Sequence, residues 1–326
     1  MHGHGNDMTK HRIIYDTDPG IDDAIALVFQ ARHPAIELVG ITSVFGNADI
    51  DTTTANARYL ASRFAPHVPV ARGAAAPLRR PPPEPIAHIH GKDALGEIER
   101  IGHVDKQEDR RAAHRFIVDT VRANPGEITL LAVGPLTNLA LALKEDPGVA
   151  ALVREVVVMG GAFGIHGVLG NATPAAEANM HGDPDAADIA FGAPWKVSIA
   201  GLDVTHETVM TRAFLASLRD CAGDAGRFVW DMSRFYEGFH ADDGVPDGIY
   251  AHDYSAAAYV VARDLFATRR GPVRVLTDGI AAGLTIQKPD SMHTHAPDWD
   301  ARPDCEACIG VDADAVLDLF ANTLRN

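Results

Sequence analysis

Hydrophobic positions fall into two alternating rhythms along this chain. Short apolar runs stand at Ile13 to Tyr15, Glu37 to Phe45, Ile128 to Val133 and Glu155 to Met159. Each has the length and content of a buried strand. Between them lie stretches with apolar residues at helical spacing. Asp22 to Arg32, with Ala24, Leu27, Val28 and Ala31 on one side, predicts a helix. Asp49 to Phe64, Ala112 to Ala123 and Leu136 to Lys144 predict three more, the second of these closed by Asn124-Pro125-Gly126. Arg79 to Pro85 is proline-rich and is expected to be an extended loop, because proline blocks both helix and ladder bonding. Strand, loop and helix repeat without a composition break. The expected fold class is therefore α/β, a mostly parallel doubly wound sheet with helices on both faces. Ligands of such sheets bind beyond the carboxyl ends of the strands.

No linker composition divides the chain, so a single domain over residues 12–326 is expected, after a polar, His-rich leader at 1–11. The leader has no apolar core of the kind a signal peptide needs. No run approaches the ~18 apolar residues of a membrane span. Of the 326 residues, 46% are hydrophobic and 22% charged, which excludes a disordered chain. The net charge of −15 argues against nucleic acid and anionic membranes as partners, and leaves cations and neutral small molecules. Three cysteines are too few for a disulfide framework, and Cys305 and Cys308 form a lone CxxC with no companion pair. They are read as ordinary reduced thiols, and the expected compartment is cytoplasmic.

The first strand ends Asp16-Thr17-Asp18-Pro19-Gly20-Ile21-Asp22-Asp23-Ala24. Four carboxylates in eight residues repel one another by about 1 to 4 kcal/mol per close pair unless a cation offsets them. Oxygen ligands of this kind suit Ca²⁺ or Mg²⁺. Capping of the helix start accounts for one or two of the four, not for all. The EF-hand loop does not fit, because Ile21 stands where that loop needs glycine and Leu27 where it needs glutamate.

The run DTDPGIDDA resembles the signature of the nucleoside hydrolases of the inosine-uridine-preferring type. Further matches follow in order: Phe45-Gly46-Asn47, His88-Ile89-His90-Gly91, Val133-Gly134-Pro135-Leu136-Thr137-Asn138, Val158-Met159-Gly160-Gly161, Gly170-Asn171-Ala172-Thr173, Ala176-Glu177-Ala178-Asn179 with Asp183-Pro184, and His252-Asp253 before Ala256-Ala257-Ala258-Tyr259. The resemblance implies hydrolysis of the N-glycosidic bond of ribonucleosides. It implies a Ca²⁺ held by Asp18, Asp23, Asp253 and the backbone carbonyl of Val133. Asp22 would be the general base on a calcium-bound water, and Asp16 a hydrogen-bonded support. Asn47, Asn171, Glu177 and Asn179 would bind ribose hydroxyls, with Met159 lining the sugar pocket. His252 would protonate the leaving base or hydrogen-bond to it, unless it only orients Asp253, and His90 is a second base-side candidate. Arg234, Phe235, Tyr236 and His240 are loosely expected near the base. The resemblance also implies a homodimer or homotetramer.

Three features depart from the family pattern. Ala178 stands where an aromatic residue is frequent, Ala94 where glycine is common, and Gly164 to Leu169 is longer than expected. Two other readings compete. Asp16 and Asp18 match the DxD spacing of a haloacid-dehalogenase-like phosphatase, but Gly20 stands where that motif takes Thr or Val, and Asp22-Asp23 has no counterpart there. A nucleoside-binding protein without turnover would be marked by loss of the base or of a metal ligand, and all four aspartates are present. The residues do not separate purine from pyrimidine nucleosides.

Overall fold

The computed structural model of the chain describes residues 10–102, 104, 106–242 and 244–326. Most of the expected leader, residues 1–9, lies outside the described residues; His11 already belongs to the first strand. A nine-stranded sheet runs through the molecule. Its strands are β1 (His11–Thr17), β2 (Ile36–Ser43), β3 (Val70–Ala71), β4 (Glu108–Asp109), β5 (Ile128–Ala132), β6 (Glu155–Met159), β7 (Val197–Ala200), β8 (Phe266–Gly271) and β9 (Cys305–Val311). The spatial order is β8-β9-β7-β6-β5-β1-β2-β3-β4. Every pairing is parallel except that of β8 with β9.

Strand residues alternate between two cores, as a sheet covered on both faces requires. Ile13, Tyr15, Leu131 and Val157 join one cluster; Ile14, Leu130, Val156 and Val158 join the other. The first face is packed by α1 (Ile21–Arg32), α2 (Ile50–Phe64), α6 (Gly223–Asp242), α7 (His252–Val261) and α8 (Ala313–Arg325). The second is packed by α3 (Ala113–Ala123), α4 (Thr137–Glu145) and α5 (Pro184–Gly192). The expected strands and helices are present, with ends displaced by one or two residues. Residues 79–85 have no regular structure, as expected. Cys305 and Cys308 are free and lie in opposite cores, so the CxxC cannot close on one ion. Burial pushes both thiols up to about 12.

The strand order turns back at β1. The chain moves outward from β1 through β2 to β4, then returns to β5 on the other side of β1. Such a switch opens a crevice beyond the carboxyl ends of the two central strands. The backbone N–H of Val133 donates to the carbonyl of Asp16 at 2.8 Å, which holds the ends of β1 and β5 level at this crevice.

Candidate active site

The crevice holds a cavity of about 290 Å³. Asp22, Asn47, His90, Val133, Met159, Asn171, Glu177, Asn179, His252 and Asp253 all line it. Asp18 and Asp23 lie beneath its surface, 2% and 1% exposed. The crevice thus brings the expected residues from positions 18–253 into one place.

The acidic groups arrive on helix starts. Asp22 and Asp23 stand in the first turn of α1, Asp253 in the first turn of α7, and Glu177 caps the short helix Ala178–Gly182. Each helix end offers partial positive charge and free N–H groups to a carboxylate. Glu177 uses this fully. It accepts from the N–H groups of Asn179 (2.9 Å), Gly161 (2.9 Å) and Met180 (3.1 Å). Burial still pushes its carboxyl up to about 7 against those bonds.

Asp23 is half a capping residue. It accepts from Gly20 N at 2.9 Å and from Asn47 Nδ2 at 3.0 Å, and the Thr17 hydroxyl also bonds to it. Asp22, Asp23 and Asp253 nevertheless bring one oxygen each within 4.8 Å of the others. Among the described residues, Asp22 Oδ1, Asp18 Oδ1 and Asp16 Oδ2 are buried and have no hydrogen-bond partner. Burial raises the whole set. Asp22 and Asp23 rise to about 6, Asp23 pushed further by the charge of Asp22. Asp18 and Asp253 rise well above the ordinary carboxylate range, first by burial and then by neighbouring aspartates. Buried oxygens left bare, in an all-oxygen cluster, fit a hard divalent cation. Glycines leave the room. A Cβ on Gly46 would lie 2.0 Å from Asp18 Oδ2, and one on Gly134 would lie 2.6 Å from Asp18 Oδ1.

Asp16 lies behind the cluster and accepts from Thr42 Oγ1 at 2.5 Å and Asn138 Nδ2 at 2.7 Å. Burial raises it to about 7. Asn47 braces the first loop, its N–H on Asp18 Oδ2 and its amide on the carbonyl of Asp18. Asn179 Nδ2 donates to the carbonyls of Val133 (2.8 Å) and Met159 (3.1 Å). Asn171 Oδ1 accepts from Ala178 N at 3.0 Å.

Aromatic rings and imidazoles form another part of the lining, and His90 Nδ1 lies 4.0 Å from Asp22 Oδ1. His90 accepts from Ile21 N at Nδ1 (3.2 Å) and stacks on Tyr236, 5.2 Å between ring centres. Burial lowers His90 to about 4, so it is neutral. Tyr236 donates to Asp22 Oδ2 at a long 3.4 Å. His252 is 7% exposed, and burial pushes it well below the usual imidazole range, helped by His206, His240 and His90. Of the four loosely expected residues on α6, Tyr236 and His240 line the cavity. Arg234 and Phe235 do not: the Arg234 guanidinium stacks on Trp230 at 3.6 Å and pairs with Glu237, while Phe235 packs into the core. Helical spacing explains this, since residues one apart on a helix face different ways.

His206, Phe239 and Tyr250 also line the cavity, and His206 stacks on Tyr250 with 4.1 Å between centres. These were not singled out from the sequence. Phe239, directly before His240, and Tyr250, two residues before His252, carried local hints. Ala94 takes the left-handed conformation, φ 59°, which is why glycine is the cheaper residue there.

Known proteins resemble this chain over nearly its whole length. The family model for "inosine-uridine preferring nucleoside hydrolase" matches residues 13–318. The chain is 40% identical to "Probable uridine nucleosidase 1" of Oryza sativa subsp. japonica, over 87% of each protein. It is 36% identical to "Pyrimidine-specific ribonucleoside hydrolase RihB" of Escherichia coli, over 86% of this chain and 88% of that one. Among solved structures, a plant nucleoside hydrolase superposes with TM-score 0.92 at 36% identity, covering 97% of this chain and 99% of the other. A purine-preferring ribonucleoside hydrolase from Gardnerella vaginalis superposes with TM-score 0.88 at 31% identity, covering 96% and 98%. Sequence, fold and cavity converge, and the chain belongs to the family of inosine-uridine preferring nucleoside hydrolases, enzymes of the N-glycosidase class.

Proposed function

We propose that this enzyme is a Ca²⁺-dependent hydrolase of ribonucleosides, with pyrimidine ribonucleosides, uridine foremost, as its substrates. The observation that carries the reading is the set of buried, unpartnered carboxylate oxygens on Asp18 and Asp22, beside Asp23 and Asp253, at the mouth between β1 and β5. Asp18, Asp23, Asp253 and the carbonyl of Val133 would hold the cation, an all-oxygen set that suits Ca²⁺. When bound, the ion offsets the crowded negative charge and acidifies a water.

The remaining chemistry belongs to the chain. Asp22 lines the cavity with an open oxygen, so it takes the proton of the attacking water. Asp18 Oδ1 is the second open oxygen and the alternative acceptor if the cation engages Asp22. Asn47, Asn171, Glu177 and Asn179 grip the ribose hydroxyls, and Met159 supports the ring. Contacts that tighten as the sugar gains oxocarbenium character lower the barrier. His252 and His90 face the base, and Tyr236, Phe239, His240 and Tyr250 enclose it. A neutral, buried His252 is better suited to donating a hydrogen bond to a base carbonyl than to delivering a full proton. Uracil offers two carbonyls and no basic ring nitrogen, and the relatives named for uridine and pyrimidine ribonucleosides agree.

The enzyme would act in the cytoplasm on free nucleosides as a homodimer or homotetramer. The net charge of −15 supports the absence of nucleic-acid and membrane partners, and among the described residues no helix is long and apolar enough to cross a membrane. The test is free-ribose release from uridine, cytidine, inosine, adenosine and guanosine, with and without chelator. Uridine should be fastest, chelation should abolish turnover, and added Ca²⁺ should restore it. Turnover in metal-free protein would overturn the Ca²⁺ requirement, and inosine far ahead of uridine would overturn the pyrimidine preference.

A further inference from the structure

His252 lines the cavity, yet its imidazole is held from outside. Its Nδ1 lies 2.9 Å from the hydroxyl oxygen of Thr205. Thr205 is fully buried and does not line the cavity. It ends the short helix Leu202–Thr205, which follows β7. That helix is itself held by hydrogen bonds to the loop that leaves β6. The N–H of Leu202 donates to the carbonyl of Gly161 at 2.9 Å. The buried carboxylate of Asp203 accepts from Phe163 N at 2.7 Å and Ile165 N at 2.8 Å, on the loop that leaves β6. The Thr205 hydroxyl is therefore presented from a braced support.

A neutral imidazole has one proton for two nitrogens, and the partner of one nitrogen decides which of them carries it. Among the described residues, His252 Nδ1 is the hydrogen-bond partner of the Thr205 hydroxyl. A buried O–H costs free energy unless it finds an acceptor. If Nδ1 kept the proton, the threonine O–H would be left without one. The structure assigns to Thr205 the role of a positioning residue: its hydroxyl donates to His252 Nδ1, so that the ring carries its proton on Nε2 and turns an N–H toward the leaving base. This rests on the leaving-group reading of His252, and adds to it the group that sets the tautomer. Thr205 touches no substrate and acts only through His252.

The test compares uridine with p-nitrophenyl riboside, whose leaving group needs no help. The readout is the ratio of the two kcat values. Thr205→Val keeps the shape and removes the hydroxyl, and should lower the ratio about tenfold, the size of one hydrogen bond. Thr205→Ser should restore it. Equal losses on both substrates, or an unchanged ratio, would overturn the inference. His252→Ala separates the two readings. It should lower the ratio by about 10²-fold, as loss of a donor at developing charge does. If His252→Ala leaves the ratio unchanged, the leaving-group reading fails; if only Thr205→Val does, the tautomer assignment alone fails. Nitrogen-15 NMR of the wild-type protein, with His252 identified by its absence in His252→Ala, provides a check that needs no folded valine variant. Nδ1 should show the shift of a lone-pair nitrogen that accepts a hydrogen bond, and a protonated Nδ1 would overturn the assignment.

Discussion

Among the described residues, no donor reaches the buried oxygens that Asp22 and Asp18 each present, and of these two only Asp22 opens onto the cavity. Asp22→Asn removes a charge from a crowded cluster and keeps the side-chain shape, so the fold should hold. Its kcat should fall by at least ~10²-fold at saturating Ca²⁺, the scale of general-base catalysis. Asp18→Asn, assayed alongside, decides between the two acceptors: a larger kcat loss there at full calcium occupancy would move the base to Asp18. At this scale the sequence was informative because four aspartates around a Pro-Gly turn have few structural excuses. It was less informative where one residue has two jobs. Asp23 caps α1 through Gly20 N and also joins the acidic trio. Asn179 spends its amide N–H groups on two backbone carbonyls, so only its oxygen remains for a hydroxyl. No spacing rule reveals which atom of a side chain is already spoken for.

Strands and helices with a strong period, such as β5 and α3, were legible because β5 alternates between two cores and α3 between core and surface. The base-side wall was not. His206 follows a four-residue helix, and Tyr250 ends a three-residue strand, Gly248–Tyr250. Elements so short show no period, and their placement depends on packing between residues distant in the chain. Turns, by contrast, are carried by single glycines. Gly46 sits against the Asp18 carboxylate with no space for a methyl group. Gly46→Ala should push that carboxylate aside and weaken calcium binding by about 10- to 100-fold, as loss of support behind a ligand does. Calorimetric titration of metal-free protein with Ca²⁺ would measure it, and an unchanged affinity would show that Asp18 is not a ligand.

Across the whole molecule, the parallel order of the sheet and its turn at β1 follow from the repeated strand-helix pattern. The antiparallel edge strand β8 did not, because no crossover helix marks it. The same architecture stores negative charge in its interior, with a consequence for stability. Asp16 and Glu177 titrate near about 7, and Asp22 and Asp23 near about 6, all raised by burial. Raised carboxyl groups bind protons more tightly in the folded than in the unfolded chain. Their contribution is fully present below the unfolded values, about 4, and is lost as pH rises through about 6 to 7. Chelated enzyme should therefore melt at a lower temperature at about pH 8 than at about pH 5, and Ca²⁺ should raise Tm most at the higher pH. A chelated Tm that climbs with pH would contradict this. The distance along the chain between the acidic partners also sets an order of events during synthesis. Asp22 and Asp23 emerge from the ribosome about 230 residues before Asp253. At about 5–20 residues per second, the first loop waits about ten to fifty seconds for its last carboxylate. With the ligand set proposed above, a nascent chain cannot complete its cation site early, and cation capture would mark a chain that has been made and folded nearly to its end.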